Sequence, residues 1–322
     1  MNIIDLHCDT IMRLYQGEHL SEMEDRHINM RKLLEGGVMA QAFAVFTPTG
    51  EGAKRWNIPA PGEYFDLAVA ALQREIRLNE DKLAQARSVS EIEANAAAGK
   101  VSALLTVEDA VSLEGKTERI DYFYDQGVRI IGITWNHENE LGFPNSPDPE
   151  QHAKGLKPFG FEALERMNEL GILADVSHLS EGGFWDIAKH TKTPFTATHS
   201  CARALCDHPR NLTDDQIRAV ADKGGIIGVN FYGLFLHPMA EGEACTASCE
   251  DIARHLEHMK NVGGIDVLAL GSDYDGMHTE MEWGDCGGNQ KLLAALEKSF
   301  TSGEIDKISH GNALRVFREV IG

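Results

Sequence analysis

Short, nearly uninterrupted apolar runs recur along the chain, and between them the apolar positions fall back to a spacing of three and four. The runs are IIDLHC (3–8), VMAQAFAVF (38–46), VSALLTV (101–107), VRIIGITW (128–135), GILADVS (171–177), PFTATH (194–199), GIIGVNF (225–231) and DVLALGS (266–272). Near-continuous hydrophobicity of this length suits parallel strands covered on both faces. In the stretch after residue 61, Val69, Leu72, Ile76 and Leu83 keep the stripe of an amphipathic helix. LTDDQIRAVADKGG opens with a capping box from Thr213 to Gln216 and closes on Gly224. FEALERMNELG and CEDIARHLEHMKNVGG also stop at glycine. Strand–helix alternation of this kind predicts a (β/α)8 TIM barrel, with residues 1–322 as one domain. An open doubly wound sheet would want a glycine-rich turn after the first strand, and DLHCDT is not one. One connection, from Asn136 to about Pro158, is longer than the roughly 12–15 residues usual in compact domains, which predicts a functional lid or a disordered segment.

Composition narrows the partners. The formal net charge is −20, which argues against a nucleic-acid ligand and against an anionic membrane surface. No apolar run approaches the roughly 18 residues of a membrane span. Asp5, His7 and Asp9 occupy the stretch that a signal peptide would make apolar, so the expectation is a cytoplasmic protein. Six cysteines in a chain of 322 residues do not form a disulfide framework. The nearest to a motif is CTASC, with Cys245 and Cys249; it has no matching second pair, so reduced structural thiols are expected.

In a barrel enzyme the active site lies at the C-terminal ends of the strands, so those ends are where chemistry should appear. The first run ends in His7-Cys8-Asp9. Alternation along a strand points His7 and Asp9 the same way and Cys8 the other. Alone, such a pair reads equally well as a hydrogen-bonded strand end. The third run leads into Glu108-Asp109, the fourth into Asn136-His137-Glu138, the fifth into His178, the sixth into His199 and the eighth into Asp273-Tyr274-Asp275. Imidazoles and carboxylates converging from six strands, without a counter-ion, would be costly to bury. His7, His178, His199, Asp9 and Glu108 are hard-to-borderline ligands that suit Zn2+. A carboxylate can bridge two such cations about 3.5–4 Å apart, with a water between them activated toward hydroxide at neutral pH.

Taken in order, DLHCDT, TVEDA around Glu108, WNHEN around His137, DVSH ending in His178, ATHS with His199, HPRN with Arg210 and GSDYDG with Asp273 resemble the renal (membrane) dipeptidase family of the amidohydrolase superfamily. GNALRVF near the C-terminus resembles that family's closing segment, so the likeness spans nearly the whole chain. The resemblance implies a dipeptidase with two Zn2+ per chain, which hydrolyses a small dipeptide with a metal-bridging hydroxide. It implies His7 and Asp9 on one metal, His178 and His199 on the other, and Glu108 between them in the role that a carbamylated lysine fills elsewhere in the superfamily. It further implies that His137 polarises the scissile carbonyl, that Arg210 clamps the substrate's terminal carboxylate, that Asp273 shuttles the proton, and that the chain forms a homodimer.

The chemistry of the individual groups agrees with these roles. A guanidinium forks onto a carboxylate bidentately and fixes its distance from the scissile bond. A neutral imidazole N–H can stabilise a developing oxyanion. Asp275 lies two residues from Asp273 and competes for its role; Asp273 is preferred because it follows the strand directly. Two rivals share the sequence features. One is another binuclear amidohydrolase acting on N-acyl amino acids, cyclic amides or lactones, which would not need Arg210. The other is a non-catalytic barrel that only binds, which loss of metal ligands would mark, and none of the expected ligands is missing.

Overall fold

The computed structural model describes residues 2–240 and 242–322. Its barrel strands are β1 (Ile3–Cys8), β2 (Val38–Phe46), β3 (Val101–Glu108), β4 (Val128–Gly132), β5 (Leu173–Asp175), β6 (Thr196–Ala197), β7 (Ile226–Val229) and β8 (Leu268–Leu270). Every ladder between them is parallel and joins neighbours in chain order, and β8 returns to β1 through Leu270 opposite Asp5. The ring is therefore closed, as the eight apolar runs predict.

The inner face near the N-terminal ends of the strands is apolar. Leu6, Ala42, Leu104, Ile130, Ile226 and Ala269 form one buried cluster with Val316 and Phe317 of the C-terminal helix Asn312–Val320. The outer strand faces carry Phe43, Val45, Leu105 and Val107 into a second cluster with helix residues such as Tyr64, Phe65 and Leu72. Those three come from the helix Pro61–Leu78, which starts on a proline at its first turn.

Two expectations are corrected. The helix ends at Leu78, and Leu83 begins a short strand, Leu83–Gln85, paired with the start of β3. The stop is Asn79, whose side-chain amide donates to the Glu75 carbonyl (2.9 Å) and competes with further helical bonding. The long connection after Asn136 is neither disordered nor loose. Asn145 N–H donates to the His178 carbonyl (2.7 Å), Ser180 N–H donates to the Phe143 carbonyl (3.0 Å), and a short helix spans Pro149–His152. It forms a fixed wall beside β5.

From β4 to β8 the ladders end short of the apolar runs, because the chain leaves the sheet to build the rim. Two buried acids take over the backbone groups released there. The Asp175 carboxylate accepts from the N–H of Ser177 (3.0 Å) and of Thr198 (2.9 Å), and from both hydroxyls (2.6 Å each). Asp5 does the same for Ser272, accepting from its N–H (2.8 Å) and hydroxyl (2.6 Å). A buried donor left without a partner is costly, so these brackets let the strands splay without losing their neighbours. Each of the six cysteines is a free thiol, as expected. No helix among the described residues is long and apolar enough to cross a membrane.

Candidate active site

The first strand does not deliver His7 by simple alternation. Its pairing with β2 shifts register between Asp5 and Cys8, where three residues of β1 span the distance of two on β2. Leu6 already faces the inner apolar cluster, so strict alternation would turn His7 outward. The bulge turns it in, the usual effect of one extra residue beside a site. The end of β1 is then zipped to the β8 loop. Asp273 N–H donates to the His7 carbonyl (3.2 Å) and Asp9 N–H to the Tyr274 carbonyl (2.9 Å).

Glu108, the last residue of β3, lies at the centre of the cluster. Its Oε2 is 3.5 Å from His7 Nε2, and its Oε1 is 2.9 Å from His178 Nε2 and 3.5 Å from His199 Nε2. His7 Nε2 lies 3.6 Å from Asp9 Oδ2, and its ring stacks on that of His199 with centroids 3.8 Å apart. Ligand atoms of His7, Asp9 and Glu108 converge within 4.8 Å, as do those of Glu108, His178 and His199, and those of His7, His199 and Asp273. The three groups overlap, so all six residues face one another.

The outer nitrogens of the rings fix their tautomers. The Thr198 hydroxyl donates to Asp175, so at 2.8 Å from His199 Nδ1 it accepts from that nitrogen. His178 Nδ1 donates to the Asn136 amide oxygen (3.0 Å). Both Nε2 atoms then carry lone pairs, and they meet at 3.0 Å beside the Glu108 carboxylate. Acceptors facing acceptors in a buried site repel unless a cation or a proton stands between them. His7 Nε2 and Asp9 Oδ1 are buried without a hydrogen-bond partner among the described residues. This donor set fits divalent metal: neutral imidazole nitrogens and carboxylate oxygens, aimed inward and held by outer hydrogen bonds.

The electrostatics come from crowding acids in a dry place. Burial and the nearby Asp9 charge push Glu108 up to about 8, against the opposing pull of His7. Burial and Asp9 likewise push Asp273 up to about 7, opposed by His7, Asn230 and Arg210. For His7, burial acts downward, but the Glu108 and Asp9 carboxylates outweigh it and hold the imidazole well above its ordinary value. His178 and His199 are held well below theirs, chiefly by burial.

The two aspartates of GSDYDG separate clearly. Both adopt positive φ, 63° at Asp273 and 66° at Asp275, which for a residue other than glycine is uncommon and clusters at functional sites. Between them Tyr274 turns away, its hydroxyl donating to Asn289 (2.7 Å). Asp275 is fully occupied, accepting from the Thr10 hydroxyl (2.7 Å) and the His27 N–H (2.8 Å). Among the described residues Asp273 accepts only from the Asn230 amide (3.1 Å), and one of its oxygens joins the candidate ligand groups. Gly276 comes next because a Cβ there would collide with the Asp9 carboxylate.

Arg210 is buried, with its guanidinium donating to the carbonyls of Ser177 and His199 and its Nε without a partner. Among the described residues no carboxylate lies within 4.0 Å of it. It lines a cavity of about 340 Å3 that also touches Glu108, His178 and Asp273. His137 is not brought into this group. Asn136 turns its amide inward to bond His178, so the next side chain turns out, and His137 is exposed with its ring edge-on to Trp135. Trp135 and Asn136 line the cavity instead.

The sequence assigns no role to Asp5, Asp175, Thr198, Asn136 or Asn230, whose side chains hold the site residues from behind; Asn136 also lines the cavity. A signal is present in the acids two and three residues before the rim histidines, Asp5 in IIDLH and Asp175 in LADVS, where a charge inside an apolar run needs an explanation.

A family model for "Membrane dipeptidase (Peptidase family M19)" matches residues 1–321. A Klebsiella pneumoniae protein described as an uncharacterized protein in the pqqA 5' region is 38% identical over 271 residues, 81% of this chain and 98% of its own length. Dipeptidase aclJ of Aspergillus oryzae is 27% identical over 303 residues, 91% of this chain and 70% of its own. Among solved structures, the dipeptidase AC, a metallo peptidase of family M19, superposes with a TM-score of 0.90 at 26% identity, covering 100% of this chain and 99% of the other. A metallo peptidase from Rhodobacter sphaeroides, liganded with a phosphinate mimic of the dipeptide L-Ala-D-Ala, superposes with a TM-score of 0.87 at 26% identity, covering 99% of each chain. These matches bear out the expectation of a metal-dependent dipeptidase, a hydrolase of peptide bonds on a closed eight-stranded barrel. The chain belongs to the membrane dipeptidase family, peptidase family M19.

Proposed function

We propose that the chain works as one catalytic domain on free dipeptides, with two Zn2+ held as two half-sites that share Glu108. His7 and Asp9 would hold one ion, and His178 and His199 the other. The observation that carries this reading is the division of one carboxylate: Glu108 turns Oε2 to His7 and Oε1 to the His178/His199 pair. When bound, the ions supply Lewis acidity toward a water and the scissile carbonyl oxygen. The chain's own groups do the rest.

Arg210 recognises the substrate's terminal carboxylate. It is a buried cation with no acid at contact distance, and burial holds its pKa below the ordinary guanidinium value, so it gains most from an anion that arrives with the ligand. Its bonds to the Ser177 and His199 carbonyls fix it beside two of the proposed ligands, on the wall of the cavity that Glu108 also lines. Asp273 takes a proton from the attacking water and returns it to the leaving amine; its carboxylate borders the cavity and accepts one hydrogen bond, from the Asn230 amide (3.1 Å), which leaves it lone pairs for that proton. The Rhodobacter sphaeroides relative binds a dipeptide mimic, which supports a dipeptide in the same cavity here. His137 would have to swing inward to reach a carbonyl, whereas Asn136 already faces the cavity. The free thiols are in keeping with a cytoplasmic location, and the family resemblance supports a homodimer, which light scattering reads directly.

The deciding experiment compares a dipeptide with its C-terminal amide, on wild type and Arg210→Ala, at full Zn2+ loading. The wild type should prefer the acid by the equivalent of about 2–5 kcal/mol, and the variant should lose that preference. Equal cleavage of acid and amide by the wild type would remove Arg210 from the role. A substrate panel that includes N-acyl amino acids and lactones tests the rival amidohydrolase activities in the same assay.

A further inference from the structure

The cavity has two sides, and the carboxylate clamp occupies only one of them. In the closed ring β8, β1 and β2 lie opposite β4, β5 and β6. Arg210, on the loop after β6, lies on the second side. The first side carries Arg13 from the short helix Thr10–Tyr15 after β1 and Gln16 just beyond it, Trp56 from the segment after β2, and His278 from the loop after β8.

Arg13 is the cation on that side that lacks a partner. Among the described residues its guanidinium makes no hydrogen bond and no ion pair. The two acids whose charge reaches toward it are engaged elsewhere. Glu18 gives both carboxylate oxygens to Arg26 (3.0 and 2.7 Å). Asp275 gives its oxygens to the Thr10 hydroxyl and the His27 N–H. The remaining carboxylates of the cavity, Asp9, Glu108 and Asp273, turn toward the metal-ligand cluster. In a chain of net charge −20, a half-buried arginine facing an enzyme cavity without an acid of its own is a receptor for an anion. Gln16 and His278 line the same cavity and carry N–H donors, and Trp56, 40% exposed, offers a flat apolar flank.

Resting on the dipeptide reading, the direction of the substrate is set. With the terminal carboxylate on Arg210 and the scissile bond at Glu108, the N-terminal residue extends toward β8, β1 and β2. We infer that Arg13, with Gln16 and His278, selects dipeptides whose N-terminal side chain is acidic, glutamate or aspartate. The carboxylate of that side chain takes the guanidinium of Arg13, and the methylene stem lies along Met12 and Trp56.

The test uses the Zn2+-loaded enzyme and isosteric pairs: L-Glu-L-Ala against L-Gln-L-Ala, and L-Asp-L-Ala against L-Asn-L-Ala. The acid of each pair should have the larger kcat/KM, by about ten- to a hundredfold, the range of a hydrogen bond between charged groups. The preference should fall as NaCl rises, since Arg13 is only half-buried. Arg13→Gln should bring the ratio close to one, and Arg13→Glu should move the preference to L-Lys-L-Ala; metal content and melting temperature check that each variant is folded. A wild-type ratio at or below one overturns the proposal without recourse to any variant, and so does an acid preference that survives Arg13→Gln. Cleavage of the neutral dipeptides with no acid preference defeats this inference alone. Cleavage of N-acyl amino acids or lactones with no dipeptide cleaved defeats the dipeptide reading and this inference together.

Discussion

The two ends of the barrel interior are made by the same strands and are chemical opposites. β3 sends Leu104 into the apolar plug and, four residues on, Glu108 into the cluster of candidate metal ligands. β1 sends Leu6 into the plug and, through its bulge, His7 into the cluster. The plug is held chiefly by the burial of apolar side chains. The cluster is held by hydrogen bonds from behind, through Asp175, Thr198 and Asn136, and leaves acids and lone pairs facing one another. Stability is thus concentrated at one end, and the electrostatic cost that cations relieve is concentrated at the other.

The largest expected effect is on rate at the polar end. Asp273→Asn keeps shape and the contact with Asn230 but cannot carry a proton. It should lose at least about 10²–10⁴-fold in kcat with metal content retained, measured by steady-state kinetics and elemental analysis. Asp275→Asn should lose far less, because that carboxylate is tied to Thr10 and His27. If the losses are reversed, Asp275 is the shuttle. If Asp273→Asn sheds metal along with rate, Asp273 acts as a ligand instead.

Next comes the apolar end. Leu104→Ala removes a fully packed side chain from the plug and should cost about 2–5 kcal/mol in denaturant unfolding, while kcat of the folded enzyme stays near wild type. A large loss of kcat at unchanged metal content would mean that the two ends are mechanically coupled rather than divided in their roles.

A smaller effect is expected behind the cluster. Asn136→Ala takes away the acceptor that holds His178 Nδ1, and should weaken metal binding about ten- to a hundredfold by competition with a chromophoric chelator. His137→Ala, one residue on and facing solvent, should leave metal affinity unchanged.

The smallest effect is on the pH dependence of stability. Glu108 and Asp273, raised to about 8 and about 7, and His7, raised above its ordinary value, bind protons in the folded metal-free chain that the unfolded chain has released. The metal-free protein should therefore lose stability as pH rises from about 6.5 to 8. His178 and His199, kept neutral by burial, act in the opposite sense only below about 6.5, where unfolded imidazole takes up a proton. Cations need the deprotonated ligands, so the gap in melting temperature between loaded and chelated protein should widen across the same window. A constant gap would mean that the cluster does not hold the protons assigned to it.

The eight apolar runs were enough to determine the barrel, because a parallel strand covered on both faces leaves a continuous hydrophobic mark that polar loops do not blur. Metal-ligand candidates were equally legible: each closes or directly follows such a run, and a closed ring turns all strand ends toward one rim. Where the side chains point was decided only by the tertiary structure. Alternation gives the right orientation for His7 and Asp9 relative to each other, but it takes the register shift against β2 to aim His7 inward. Asp273 and Asp275 share spacing, backbone conformation and face, and differ only in partners brought from Thr10, His27 and Asn230. His137 and Asn136 were interchangeable as letters until the His178 ring, more than 40 residues away, claimed one of them. Periodicity is local and survives in one dimension; hydrogen-bond partnership between distant residues exists only once the ring has closed.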